Sequence, residues 1–359
     1  MDIERLMSEN AAKKPASRRA SSVTANVDFS KLIRMGFNEH PYGMSPKALK
    51  IMQEETAKSN LYGDFGKKEL KEALAKFYGL GVENVTASAG SSPLIETIGC
   101  AFLNPGDEVL MCPTFAAFID MAQIRQAVPV IVPLNEDMTY DLDGLYNAIT
   151  EKTKIIVLCN PNNPTGTYVG KEKVLDFIKK VPDNIIVLMD EAYLEFATAP
   201  DCESMYPLIK EFPDKPIIVL KTFSKYYGMA GIRVGYALAA PELIAAIDKC
   251  PGVMISRAGL AGAVAALDDQ EYYQDVKKKI VEGMTYLETE MEALGCKVYH
   301  SQTNFIFFDP HMDAQLVRTK LMEAGIMISA PSICRVSVGT MENNRLFISK
   351  LKKIMSTQQ

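Results

Sequence analysis

The sequence predicts an α/β fold: a mostly parallel wound sheet with helices on both faces, followed by a smaller α+β C-terminal domain. Two observations predict it. The word Ile-Ile-Val-Leu occurs three times, at 155–158, 185–188 and 217–220. Uninterrupted β-branched runs of this length, without polar alternation, suit strands buried on both faces, the mark of a parallel sheet covered by helices. Between about 84 and 245, short apolar runs alternate with helical patterns, as in a wound sheet.

Residues 1–37 are expected to form an N-terminal arm, polar at first and rich in Ala, Ser and Lys. Arg18-Arg19 raises the question of a twin-arginine export signal, but the residues after the pair are too polar to be an apolar export region. A large domain is expected over 38–245 and a small one over 246–359. Ser45-Pro46 reads as a helix start with proline in the first turn. Leu70, Leu74 and Phe77 share one face of a helix over 67–78, which Gly79 can close. A strand over 84–88 leads to the turn Ala89-Gly90-Ser91-Ser92, and Pro93 then opens a helix through Leu94, Ile95, Ile98 and Phe102. Past 246, Val276, Ile280, Met284, Leu287, Met291 and Leu294 step by threes and fours along a long helix over 270–294 that Gly295 stops. Strands over 297–300 and 304–308, a helix over 314–323, strands over 326–329 and 334–338, and a final helix complete the α+β pattern.

At 359 residues the chain can bury a large core in two lobes. Hydrophobic residues make up 48% and charged residues 23%, as in an ordinary globular protein, and the net charge of −5 argues against a non-specific nucleic-acid binder. Seven cysteines, an odd total with no C-x-x-C pair, fit a reducing cytoplasm and give no zinc site. No segment approaches the ~18 consecutive apolar residues of a membrane span.

Each Ile-Ile-Val-Leu copy runs into a different polar cluster. The first reaches Asn160-Pro-Asn-Asn-Pro-Thr-Gly166, the second Met189-Asp190-Glu191-Ala192-Tyr193, the third Lys221-Thr-Phe-Ser-Lys225. Ligands of parallel sheets sit beyond the carboxyl ends of the strands, so an amide, an acid with a phenol, and a lysine should share one crevice. That set suits pyridoxal 5′-phosphate (PLP), which needs a lysine for a Schiff base and a carboxylate for its pyridinium nitrogen. A lysine beside a buried strand can lose its proton through desolvation. The alternative, a solvated loop lysine, leaves the crowded Gly228, Gly231 and Gly235 and the nearby Arg233 unexplained. Asp190, at a strand end, needs a partner for its charge, and Asn163 and Tyr193 could bond the ring oxygen. The Gly90 turn offers free N–H groups, hydroxyls and a helix dipole to a phosphate.

The ordered set Asn163-Pro-Thr-Gly, Asp190-Glu-Ala-Tyr193, Ser224-Lys225 and Arg233 resembles the fold-type I PLP enzymes, in particular class I/II aminotransferases of the histidinol-phosphate group. The likeness runs from Asn38-Glu-His-Pro-Tyr-Gly43 to Arg335-Val-Ser-Val-Gly-Thr340. It implies that Lys225 forms the Schiff base and shuttles protons, that Asp190 pairs the ring nitrogen, and that Asn163 and Tyr193 bond the ring oxygen. Ser91, Ser92, Thr222, Ser224 and Arg233 match the phosphate cup, Phe115 the ring-stacking position, and Arg335 the arginine that grips the substrate's acidic group, with Asn163 beside it. Tyr62 matches a tyrosine that reaches the phosphate from a partner subunit, which implies a homodimer. An amino donor and a 2-oxo acid such as 2-oxoglutarate are the implied substrates.

Two departures stand out. The Pro-Tyr-x-Pro-Gly segment common in that group is missing from the arm, and Ser329 stands where an arginine is usual. One guanidinium fewer removes a charge-assisted contact to a dianion, which makes a carboxylate substrate more credible unless Arg257 points inward to compensate. A decarboxylase or lyase of the same fold, like the threonine-phosphate decarboxylases, is the alternative reading. A non-catalytic PLP-binding module would need an attached DNA-binding domain, and the segment before residue 38 is too short for one.

Overall fold

The computed structural model describes residues 31–356, with Met7 and Asp28, so most of the expected arm lies outside the described residues. Strand β1 (Ile33–Arg34) is followed by α1 (Pro46–Thr56), α2 (Lys68–Tyr78), β2 (Val85–Ser88) and α3 (Ser91–Phe102). The chain then winds through β3 (Glu108–Met111), α4 (Ala117–Ile124), β4 (Val128–Ile131), α5 (Leu142–Asn147), β5 (Thr153–Cys159), α6 (Lys171–Lys180) and β6 (Ile186–Asp190). Next come α7 (Leu208–Glu211), β7 (Ile217–Thr222), β8 (Gly235–Ala239), α8 (Pro241–Asp248), α9 (Arg257–Leu267) and α10 (Gln270–Ala293). The last elements are β9 (Lys297–Tyr299), β10 (Phe305–Asp309), α11 (Ala314–Glu323), β11 (Ile326–Met327), β12 (Cys334–Ser337) and α12 (Met341–Ser356).

Seven strands form the main sheet in the order β2-β8-β7-β6-β5-β3-β4. Pairing is parallel from β7 to β4, and only β8 runs against its neighbours. The three Ile-Ile-Val-Leu copies fall on β5, β6 and β7, side by side, the second entering its strand at Ile186. Their alternate residues go to opposite cores. Ile155, Val157, Leu188 and Leu220 pack with Ile95 and Ile98 of α3 and Phe118 of α4, while Ile156, Leu158, Val187 and Val219 pack with Val174 and Phe177 of α6. Burial at about 1.5–3 kcal/mol per large apolar side chain on two faces is what the unbroken β-branched runs supply. A second, antiparallel sheet has the order β12-β10-β9, and its Ile306, Phe308 and Val336 share a core with Leu287, Val317, Leu321 and Phe347.

Some expectations change. Phe77 is 45% exposed rather than core-facing, because the neighbouring Tyr78 takes the inward place, its ring 4.8 Å from Tyr206 and its hydroxyl 2.6 Å from that of Tyr236. Helix α3 begins at Ser91, not Pro93, since Gly90 turns the chain at φ 106°. Pro93 then sits in the first turn, where its missing N–H costs nothing. The strand expected over 326–329 ends at Met327. Ile33 and Arg34 are not loose: they pair in parallel with Ile326 and Met327.

Candidate active site

Parallel register brings the carboxyl ends of β5, β6 and β7 level, with Cys159 opposite Asp190 and Asp190 opposite Leu220. Asp190 is the last residue of β6, and the loops leaving the three ends carry Asn163, Tyr193 and Lys225, so the three polar clusters share one edge of the sheet. Phe115 arrives from the loop after β3, half-buried and edge-on to Phe118 at 6.4 Å.

Lys225 Nζ donates to the Phe37 carbonyl at 3.0 Å and lies 5.6 Å from the centre of the Tyr193 ring. Burial, then the nearby Arg335 guanidinium, pulls its pKa down to about 8, against an opposing pull from Glu39. Asp190 is 5% exposed and accepts the Ala192 N–H at 3.1 Å on Oδ1. Burial raises its pKa to about 6. The Tyr193 hydroxyl accepts from Asn38 Nδ2 at 2.9 Å, and burial pushes its pKa up.

Arg335 comes from β12 in the second sheet. It donates from Nη1 to Asn163 Oδ1 at 2.5 Å and from Nη2 to the Gly36 carbonyl at 3.2 Å, with its guanidinium 5.2 Å from the centre of the Phe305 ring. Its Nε is buried without a hydrogen-bond partner among the described residues. Burial lowers its pKa, so an anion beside it would recover lost solvation.

At the other end, the amino terminus of α3 presents Ser91 and Ser92 in its first turn. Glycine is required on both sides of this turn: a Cβ at Gly90 would meet Arg233 Nη2 at 2.3 Å, and one at Gly235 would meet Ser91 N at 2.4 Å. Arg233, held at φ 64°, donates from Nη1 to Ser224 Oγ at 3.2 Å, and Thr222 Oγ1 accepts the Ser224 N–H at 3.0 Å. Two of the expected residues stand elsewhere. Tyr62 is 77% exposed, packed against Phe65 at 5.5 Å and outside the crevice of its own chain. Arg257 does not point inward to replace the absent arginine: its Nε is paired with Glu55 Oε2 at 2.5 Å.

Sequence reasoning left 36–37 in the arm and used Asn38 only as the start of the likeness, giving the segment 36–39 no role in the site. Its Gly36 and Phe37 carbonyls hold Arg335 and Lys225, and Asn38, 2% exposed at φ 55°, holds Tyr193. The available signal was Asn38 itself, since asparagine tolerates the left-handed region better than other non-glycine residues.

The site thus combines a desolvated lysine, a buried carboxyl with one N–H partner, and a glycine-lined helix terminus beside an arginine. This donor set fits a phosphorylated pyridine aldehyde. Comparison with known proteins agrees: the family model described as aminotransferase class I and II matches residues 30–351. The histidinol-phosphate aminotransferase of Desulfotalea psychrophila is 34% identical over 352 residues, 96% of this chain and 93% of its own. That of Bacillus licheniformis is 35% identical over 337 residues, 92% and 93% of the two chains. The crystal structure of histidinol-phosphate aminotransferase from Sinorhizobium meliloti in complex with pyridoxal 5′-phosphate superposes with a TM-score of 0.89 at 27% identity, covering 98% of each chain. The protein is a transaminase of the wound α/β type. It belongs to the class I and II aminotransferases.

Proposed function

We propose that the protein is a PLP-dependent aminotransferase that moves an amino group between an acidic amine substrate and a 2-oxo acid such as 2-oxoglutarate, with PLP held by Lys225. The convergence of Asn163, Asp190 and Lys225 at three adjacent parallel strand ends, facing Arg335, supports this more than any single residue does. When bound, PLP supplies an electron sink for the bond broken at the donor's α-carbon. Asp190 balances the charge on the ring nitrogen, and Asn163 and Tyr193 bond the ring oxygen. Phe115 stacks on the ring without donating a hydrogen bond. Ser91, Ser92, Thr222, Ser224 and Arg233 hold the phosphate. Lys225, with its lowered pKa, would take the proton from the donor's α-carbon and, in the second half of the cycle, give one to the α-carbon of the amino acid formed from the 2-oxo acid. Arg335 orients the substrate through its acidic group.

Histidinol phosphate is the first candidate amine, on the similarity to enzymes of that name. A second reading, an amino acid with a free carboxylate, is favoured by Ser329, which pairs through its backbone with Arg335 and supplies no second cation. Tyr62, too exposed to serve its own chain, is assigned to the crevice of a partner in a homodimer. The large domain over 38–245, the small domain over 246–359 and a cytoplasmic location belong to the same reading. Among the described residues no helix is long and apolar enough to cross a membrane.

The deciding experiment adds histidinol phosphate, phenylalanine, tyrosine and leucine singly to purified protein and follows the visible band of the cofactor. Conversion to the pyridoxamine form by at least one amine, reversed by 2-oxoglutarate, is expected. Release of carbon dioxide without amino transfer would overturn the reading in favour of a decarboxylase.

A further inference from the structure

A buried ion cluster lies next to the crevice. Lys221 Nζ is 2.7 Å from Glu195 Oε1 and 3.2 Å from Glu191 Oε2, and the Lys221, Glu191 and Glu195 side chains are 4%, 1% and 21% exposed. Glu191 is further held by the Met205 N–H at 2.7 Å and by the Ser204 hydroxyl. Burial opposes the Lys221 charge, but Glu195, Tyr78 and Glu191 outweigh it and hold its pKa well above the ordinary lysine value. Charges this deep persist only when paired.

Its placement along the chain matters more than its strength. Glu191 adjoins Asp190, and Glu195 lies in the 3₁₀ turn Leu194–Phe196 that follows Tyr193. Lys221 is on β7, one residue before Thr222 and four before Lys225. Alternation on a strand sends Lys221 to the face opposite Thr222, so one ammonium clamps the loop after β6 to the strand that delivers the lysine.

We propose that Lys221 and Glu191 are positioning residues that hold the Asp190 carboxylate in place and set its charge through opposed fields. This rests on the reading of Asp190 and Lys225 given above. Besides burial and the Ala192 N–H, Asp190 feels Glu191, which favours its protonated form, and Lys221 and Lys225, which favour its anion. Cys159 on β5 and Tyr193 also face it, and burial keeps both protonated. Removing the Lys221 cation should therefore raise the pKa of Asp190, and removing the Glu191 anion should lower it. A scaffold role would give losses in one direction only.

The test measures PLP dissociation constants by fluorescence at about pH 6 and about pH 8.5, with the acid limb of kcat/KM for the holoenzyme, in Lys221→Met, Lys221→Arg and Glu191→Gln. Lys221→Met should weaken PLP binding about tenfold near pH 6, less than about threefold near pH 8.5, and move the acid limb to higher pH. Lys221→Arg should restore both to within about threefold. Glu191→Gln should move the acid limb to lower pH. Equal losses at both pH values, or the same direction of shift in Lys221→Met and Glu191→Gln, would overturn the proposal. If Lys221→Met does not fold, Glu191→Gln decides, and an unmoved acid limb overturns it. Failure of the wild-type protein to bind PLP overturns the site reading and the proposal together, an outcome separable from failure of the clamp alone.

Discussion

Ser329 and Arg335 exchange both backbone hydrogen bonds, at 3.0 and 2.8 Å, across an isolated antiparallel bridge. Directly opposed residues in such a pair send their side chains to the same face, so the hydroxyl of Ser329 flanks the guanidinium aimed at the crevice. Replacing Ser329 with arginine should add a second cation beside the first. We expect kcat/KM for histidinol phosphate to rise about tenfold to a hundredfold, and that for monocarboxylate amino acids to change by less than about threefold. Parallel steady-state assays decide this; equal gains for both substrate types would mean that position 329 does not read the second charge.

The lowered pKa of Lys225 makes a prediction about cofactor capture. With a value of about 8, roughly a tenth of the amine is neutral at pH 7, against less than about a thousandth for an ordinary lysine. Stopped-flow mixing of cofactor-free protein with PLP should show a capture rate that climbs with a midpoint near 8. Since Arg335 is the largest electrostatic contributor to the lowering, Arg335→Met should move that midpoint upward. A midpoint at the ordinary lysine value in the wild-type protein would remove the desolvation argument. Lys225→Ala should abolish turnover.

Asp190 should trade stability for function. Its pKa is raised from 3.8 to about 6 in the folded protein, so the folded state binds the proton more tightly than the unfolded chain does. That preference is fully present below the unfolded value and is lost as pH rises through the folded one, leaving a cost of about 3 kcal/mol near pH 7. Asp190→Asn keeps an acceptor for the Ala192 N–H and carries no charge. Its cofactor-free form should unfold at higher temperature than wild type near neutral pH and lose that advantage below about pH 4, while the rate falls by about two orders of magnitude or more. Calorimetry across pH is the check, and a variant less stable than wild type near pH 7 would show the carboxylate to be structural.

Much of this site is legible in the sequence, for a physical reason. Asp190, Asn163 and Lys225 follow apolar runs long and β-branched enough to be strands, and parallel strand ends meet by construction. Arg335 is placed by resemblance to known motifs, because nothing local says that β12 will lean over the main sheet. Asn38 escapes notice because its hydroxyl partner Tyr193 is 155 residues away and neither residue's neighbours signal the contact. Phe77 misleads for the opposite reason: helical spacing makes it equivalent to Leu70 and Leu74, and only the hydroxyl pairing of Tyr78 with Tyr236 explains which ring turns inward.

The exposure of Tyr62, 77% with its ring packed against Phe65, should mark a surface completed by a second copy. Mixing Tyr62→Phe with Lys225→Ala subunits should restore activity above that of either variant alone, since a hybrid dimer would contain one site with both residues intact. Sedimentation of the wild-type protein should give twice the chain mass. Full activity from a monomer would refute the assignment.

The short parallel pairing of Ile33 with Ile326 and Arg34 with Met327 gives the order of synthesis a consequence. Gly36 and Phe37, whose carbonyls face Arg335 and Lys225, leave the ribosome among the early residues of the described chain, yet the partners of the strand just before them are made near its end. A nascent chain halted before β11 would already own the sheet edge with Asp190 and Lys225, but its lysine would lack the Arg335 guanidinium, which helps to depress its basicity. Until the last strands emerge, Lys225 should be more basic than in the finished protein and slower to capture an aldehyde, and the completed enzyme should acquire its cofactor fastest once translation is almost finished.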